Sequence, residues 1–292
     1  MRWTHGVPVQ QRGPDRSYRA DTRPPTVFGL HQPGIVTPQL KHARLTAYDL
    51  DGDLASTLRA WTDQAESLMR DNRLTVTIGL GAGVLAKPLA ALRELPPFAG
   101  DALEYGGGDL CALICSETPV QTRLPGRTRW ERSGTHEPIG ALGFRDGVSI
   151  PRRPLDLERH VWVNRNDRTG MIGGTYLVVR DIEVLDTFRT LPPAEQERVM
   201  GRHASGFAMQ TPPPHSHVGL AKGHQLLRRG YDTDKGLLFL AFTNDPRRRY
   251  VPLQQRLAEH DPLHPHTRHV GSALFAIPPG AQPKSFLAQP LL

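Results

Sequence analysis

Cysteine is nearly absent: the 292-residue chain has two, Cys111 and Cys115. Four apart in a strand-like segment, they share one face but stand too far apart for an easy bond. They read as buried small hydrophobes, which excludes a disulfide-stapled scaffold and fits a reducing compartment. Long apolar runs are also missing. Nothing approaches the roughly 20 residues of a bilayer-spanning helix, so no membrane span is expected. The first twenty-five residues have no apolar signal core and no adjacent arginine pair. With Met1 as the native start, the expected location is cytoplasmic. Basic residues are in excess, with a net charge of +7 and a pI of about 9.8. They are scattered, however, and no basic stripe interleaves with aromatics, so nucleic acid is not an expected partner. Arg247-Arg248-Arg249 is the one run and reads as solvent-facing. No internal sequence repeat is present.

Glycine (28 residues) and proline (27) are plentiful, which predicts short elements between many loops. Residues 1–26 read as a flexible arm. Gln39 to Leu50 reads as a strand. Asp53 is placed to cap a helix whose apolar positions are Leu54, Leu58, Trp61, Ala65 and Leu68. Leu74 to Leu80 and Asp109 to Ser116 read as strands. Glu117 to Pro154 breaks the pattern and reads as one long irregular, functional loop. Strands return at His160 to Asn164, Gly174 to Val184, Gln225 to Arg229, Gly236 to Thr243 and Ser272 to Ile277. Helical signals run to about Arg202 and again over Tyr250 to Glu259. Alternating strands interleaved with helices predict an α+β fold of two similar halves with antiparallel sheets, 27–155 and 156–292.

Three segments carry candidate chemistry. Gly143-Phe144-Arg145-Asp146-Gly147 brackets three side chains with two glycines, so the backbone can turn tightly and present them. It reads equally as an ordinary surface turn. Histidines crowd toward the C-terminus. His215-Ser216-His217 reads as a strand that places two imidazoles on one face, a spacing able to chelate a metal, or a single buried hydrogen-bonded histidine. His264-Pro265-His266 repeats the spacing in what looks like a surface turn. In Leu226-Leu227-Arg228-Arg229-Gly230-Tyr231 one arginine faces each way. The inward one needs an anion or carboxylate partner, because a lone buried charge is costly.

In this order, the segments resemble the dye-decolorizing peroxidases, a family of haem enzymes. Gly143–Gly147 is similar to the family's Gly-Phe-x-Asp-Gly signature, Ser216-His217-Val218 to its ligand segment, and Leu227–Tyr231 to its arginine segment. Gly236–Phe239 with Asp245-Pro246 and Val251-Pro252 is similar to the strand and helix that follow. The resemblance runs from about residue 27 to 292. It implies two ferredoxin-like halves of the dimeric α+β barrel type, with one b-type haem per chain, mainly in the second half. It implies His217 as the iron ligand, Asp146 and Arg228 as the peroxide-handling pair, and Phe239 as a wall of the pocket. It also implies hydrogen peroxide and a small organic reductant as partners, and leaves a homo-oligomer open. Trp130, Tyr231 and Tyr250 are candidates for carrying electrons from bulky dyes, though each also reads as ordinary packing. The chain departs from the pattern at Gly219, where relatives often carry arginine two places after the ligand. Two other readings stand beside the peroxidase: a haem-binding or haem-transfer protein, and a non-haem metal protein built on the histidine cluster.

Overall fold

The computed structural model describes residues 24–71, 73–85 and 88–292. Most of the expected arm, 1–26, lies outside the described residues. The first half runs β1 (His42–Asp49), α1 (Leu54–Asp71), β2 (Leu74–Leu80), β3 (Asp101–Gly106), β4 (Leu110–Ser116), β5 (Arg127–Thr135) and α2 (Pro154–His160). The second runs β6 (Thr175–Val184), α3 (Asp186–Arg189), α4 (Pro193–Met200), α5 (His217–Leu220), β7 (Leu227–Asp232), β8 (Gly236–Thr243), α6 (Pro246–His260) and β9 (Thr267–Ile277).

The strands form one sheet in the order β2-β4-β1-β5-β7-β8-β6-β9-β3. The order β2-β4-β1-β5 places the first unit's strands as β7-β8-β6-β9 places the second's, so two antiparallel four-strand sheets of the same ferredoxin-like order lie side by side. They meet at Thr135 and Asp232 between β5 and β7, and at Leu80 and Ala276 between β2 and β9, which closes the ring. β3 adds to β9 in parallel.

Side-chain alternation then sorts residues between two environments. Leu45, Leu113, Leu177, Leu240 and Phe242 fill the interior of the closed sheet, together with both cysteines, which are buried and unpaired. The outer face packs on helices. Leu58, Trp61, Ala65 and Met69 of α1 lie against Val76 and Ile78, and Asp53 caps that helix by accepting from the Ser56 amide at 2.8 Å. On β7 and β8 the alternation is functional. Leu227, Arg229, Tyr231, Leu238 and Leu240 point inward, while Arg228, Gly230, Asp232, Leu237 and Phe239 face outward.

Four expectations need correction. The stretch from Glu117 to Pro154 is not one irregular loop, because β5 occupies Arg127–Thr135. Its polar, arginine-rich sequence buries only Trp130, so no apolar period marks it. His160 to Asn164 is not a strand: His160 ends α2 and 161–164 are turn and irregular backbone. His215-Ser216-His217 is likewise not a strand: Ser216 caps the single helical turn of α5. Arg247-Arg248-Arg249 opens α6 and is only partly solvent-facing. Arg248 is exposed, but Arg249 binds Asn244, His160 and the Arg159 carbonyl, and Arg247 reaches the Arg93 and Glu94 carbonyls. No helix among the described residues is long and apolar enough to cross a membrane.

Candidate active site

Tight local packing sets the His217 turn. Ser216 is buried; its hydroxyl donates to the Pro213 carbonyl at 2.6 Å and accepts from the Gly219 amide at 3.2 Å. A side chain at Gly219 would place Cβ 2.6 Å from the carbonyl oxygens of both Pro213 and Pro214. The triple proline therefore leaves no room for the arginine that relatives often carry there. The turn directs His215 to solvent and His217 inward, which separates two histidines that the sequence left as rivals.

His217 Nδ1 donates to Asp261 Oδ2 at 2.7 Å. Asp261 is buried at the end of α6, and its Oδ1 accepts from the Leu263 amide at 2.9 Å, so both carboxylate oxygens are engaged. With the proton fixed on Nδ1, the Nε2 lone pair of His217 is free to bind a Lewis acid. His217 and Asp261 line a cavity of about 840 Å³, walled by Leu226, Leu237, Phe239, Leu253 and Leu257. An apolar cavity with one oriented imidazole fits a haem, whose macrocycle is apolar and whose iron takes a neutral nitrogen.

A second cavity, of about 570 Å³, adjoins the first and shares Leu142, Arg228, Leu237 and Phe239 with it. Asp146 lies here. Gly143 (φ 78°) and Gly147 (φ 70°) adopt left-handed conformations that side chains disfavour, and the turn leading into Gly143 is closed by its amide donating to the Gly140 carbonyl at 2.7 Å. Phe144 is buried beside Phe188 and Val199, anchoring the loop. Asp146 Oδ1 accepts from the Gly147 amide at 2.7 Å, leaving Oδ2 toward the cavity. A Cβ on Gly230 would stand 3.1 Å from Oδ2, so glycine there gives the carboxylate its space. Arg228 Nη2 donates to the Val148 carbonyl at 2.8 Å, binding strand β7 to the same loop. Burial holds the Arg228 pKa below the usual arginine value, and Asp146 partly offsets this.

The structure thus brings Asp146 and Arg228 to one cavity, His217 to its neighbour, and Phe239 to the wall between them. Arg229 is the inward arginine, and its partners are not carboxylates: it donates to the backbone carbonyls of Ile35, at 2.7 and 3.0 Å, and of Thr37. Asp261 is the carboxylate that sequence reasoning could not name. Asp232, Arg202 and His136 also line the smaller cavity, and His269 the larger, without having been singled out; His264, read as part of a surface turn, lines the larger cavity too. The electron-carrying candidates Trp130, Tyr231 and Tyr250 are all buried. Among the described residues no group of three or more His, Cys, Asp or Glu side chains is placed to hold a metal ion.

Residues 32–122 match the N-terminal domain, and residues 137–282 the C-terminal domain, of the family described as Dyp-type peroxidase. The chain belongs to this family. It is 28% identical to the dye-decolorizing peroxidase of Thermobifida fusca, over 89% of this chain and 83% of that one. It is 26% identical to a deferrochelatase of Yersinia pseudotuberculosis, over 96% and 88%. The structure of ferric DtpA from Streptomyces lividans superposes with a TM-score of 0.80 at 28% identity, covering 92% of this chain and 97% of that one. The α+β architecture and the reading as a haem peroxidase, an oxidoreductase that reduces peroxide at the expense of an organic donor, stand on this membership.

Proposed function

We propose that the larger cavity holds one b-type haem per chain with His217 as its iron ligand, and that Asp146 and Arg228 manage the protons and charge of hydrogen peroxide. The observation that carries this reading is the His217–Asp261 pair, which fixes the imidazole tautomer and presents Nε2 to an apolar cavity. When bound, the haem supplies the redox centre that accepts peroxide oxygen and passes on single electrons.

The chain's residues do the rest. Peroxide breaks at its O–O bond when one oxygen loses a proton and the other gains one. Asp146 Oδ2 takes the first proton and returns it to the departing oxygen, so no free hydroxide leaves. Arg228 supplies fixed positive charge where that oxygen becomes anionic. Leu237 and Phe239 line the junction and exclude water beside the pair. The reductant is a small phenol or dye.

The deferrochelatase name of the Yersinia relatives favours a second reading, in which the chain binds and processes haem and reacts with peroxide only incidentally. Asp146 and Arg228 in one cavity support the peroxidase, because binding alone requires no such pair. The test is the absorption spectrum of the haem-supplied protein before and after peroxide. A Soret band that shifts rapidly supports the peroxidase, and one indifferent to peroxide supports the second reading. His217→Ala is expected to lose the native spectrum. If His215→Ala does so instead, the ligand assignment is wrong.

A further inference from the structure

Peroxide reduction consumes protons as well as electrons: H2O2 + 2 H+ + 2 e− → 2 H2O. The electrons come from the organic reductant; a phenol also gives up a proton with each electron, but at its own position, so the oxygen left in the cavity draws its two protons through the residues around it. A single carboxylate holds one proton at a time, so an exchangeable group beside Asp146, whose side chain is 34% exposed, speeds its refilling.

The groups around Asp146 come from three places in the fold. Arg228 and Asp232 stand on β7, Arg202 follows α4, and His136 and Glu137 follow β5. The arginines keep their protons throughout. Asp232 accepts from the Ala141 amide at 2.7 Å, and burial raises its pKa, helped by the neighbouring Asp146. Glu137, also on the cavity lining, pairs with Lys41 at 3.4 Å. Histidine is the one residue type in this set that exchanges its proton across the neutral range.

His136 is also in the right place. Its Nδ1 lies 3.7 Å from Asp146 Oδ2, the oxygen not engaged by the Gly147 amide. A side-chain shift of about an ångström, or one bridging water, converts that distance into a hydrogen-bonded path. The imidazole is 25% exposed, so it meets solvent as well as the carboxylate. Its backbone is pinned by the His136 amide donating to the Lys41 carbonyl at 2.7 Å, and its ring stands edge-on to the buried Tyr231 at 6.3 Å. The other histidines at the site, His217, His264 and His269, line the larger cavity.

We infer that His136 is the proton inlet of the site: it takes protons from solvent and delivers them one at a time to Asp146 Oδ2, from which each ends in product water. This rests on Asp146 being the peroxide-handling carboxylate. His136 acts through Asp146 and does not touch the reacting oxygens, so it is a positioning residue for the proton.

The test compares haem-loaded full-length chain with its His136→Gln variant, using hydrogen peroxide and phenol. Turnover is followed against pH, in water and heavy water, with and without added imidazole. The variant is expected to turn over roughly 10–100-fold more slowly. Its dependence on pH should differ from the wild type's, and its rate should recover when imidazole is added. Wild-type rate and pH profile in the variant would overturn the inlet. So would a loss that imidazole does not restore. If His136→Gln does not load haem, His136→Asn is read by the same criteria. An Asp146→Asn arm separates the two claims. If it leaves the peroxide reaction intact, the assignment of Asp146 falls; if it abolishes the reaction while His136→Gln is silent, only the inlet falls.

Discussion

Replacing Asp261 with asparagine tests the pair on which the site depends. The carboxylate is 5% exposed, and each oxygen accepts one hydrogen bond, from His217 Nδ1 and from the Leu263 amide. An amide has one oxygen to accept with, and its NH2 group turns a donor toward the remaining donor. Asp261→Asn therefore leaves either His217 Nδ1–H or the Leu263 N–H unpartnered, which costs the fold about 1–3 kcal/mol. It also removes the negative charge that makes the His217 Nε2 lone pair basic. Loss of such a partner weakens metal binding by about 10–100-fold, or roughly 1.4–2.7 kcal/mol. A less basic imidazole stabilises the ferric state less, so the reduction midpoint moves positive. Haem titration followed at the Soret band measures the affinity, and a redox titration measures the midpoint. A folded Asp261→Asn protein with wild-type haem affinity and midpoint would refute the role given to the pair.

Two further changes probe the surroundings. Gly219→Arg restores the arginine that relatives often carry, but its Cβ meets two backbone carbonyls at 2.6 Å that cannot swing aside. It is expected to destabilise the protein by about 1–3 kcal/mol and to weaken haem binding; a variant with an unchanged melt and tighter haem binding would contradict the packing argument. His269 is held to a pKa of about 3, first by burial and then by the charges of Arg180 and His264, and its Nδ1 accepts from Arg180 Nε at 3.0 Å. The unfolded chain binds a proton there near pH 6.5 while the folded chain does not. Its contribution is therefore full above about pH 6.5 and is lost as pH falls toward 3, by on the order of 4 kcal/mol. Urea melts of the haem-free protein across that range should show a shallower acid limb for His269→Gln, and superimposable limbs would count against it.

Local pattern made some elements legible. Leu74–Leu80 is buried at every position, and an unbroken β-branched and apolar run is what a strand covered on both faces requires. The helix from Leu54 was legible because its buried residues recur at 3.6 spacing and Asp53 supplies its cap. β5 was not, because eight of its nine residues keep some contact with solvent and carry no apolar period. Asp146, His217, Arg228 and Phe239 were singled out through the order of their motifs, not through anything their immediate neighbours impose.

By itself the sequence determined much of what short-range sterics and periodicity control: most of the strands, the two long helices, where glycine turns the chain, and the order of the motifs. Only the tertiary structure decided the partners. Asp261 lies 44 residues from His217, Asp146 lies 82 from Arg228, and the carbonyls that hold Arg229 come from the opposite end of the chain. A buried polar group is satisfied by whatever the closed sheet brings within about 3 Å of it. For Asp146 with Arg228, and for Arg229, that proximity comes from the two halves meeting; for His217 with Asp261 it comes from α5 packing on α6 within the second half, and no local pattern encodes either.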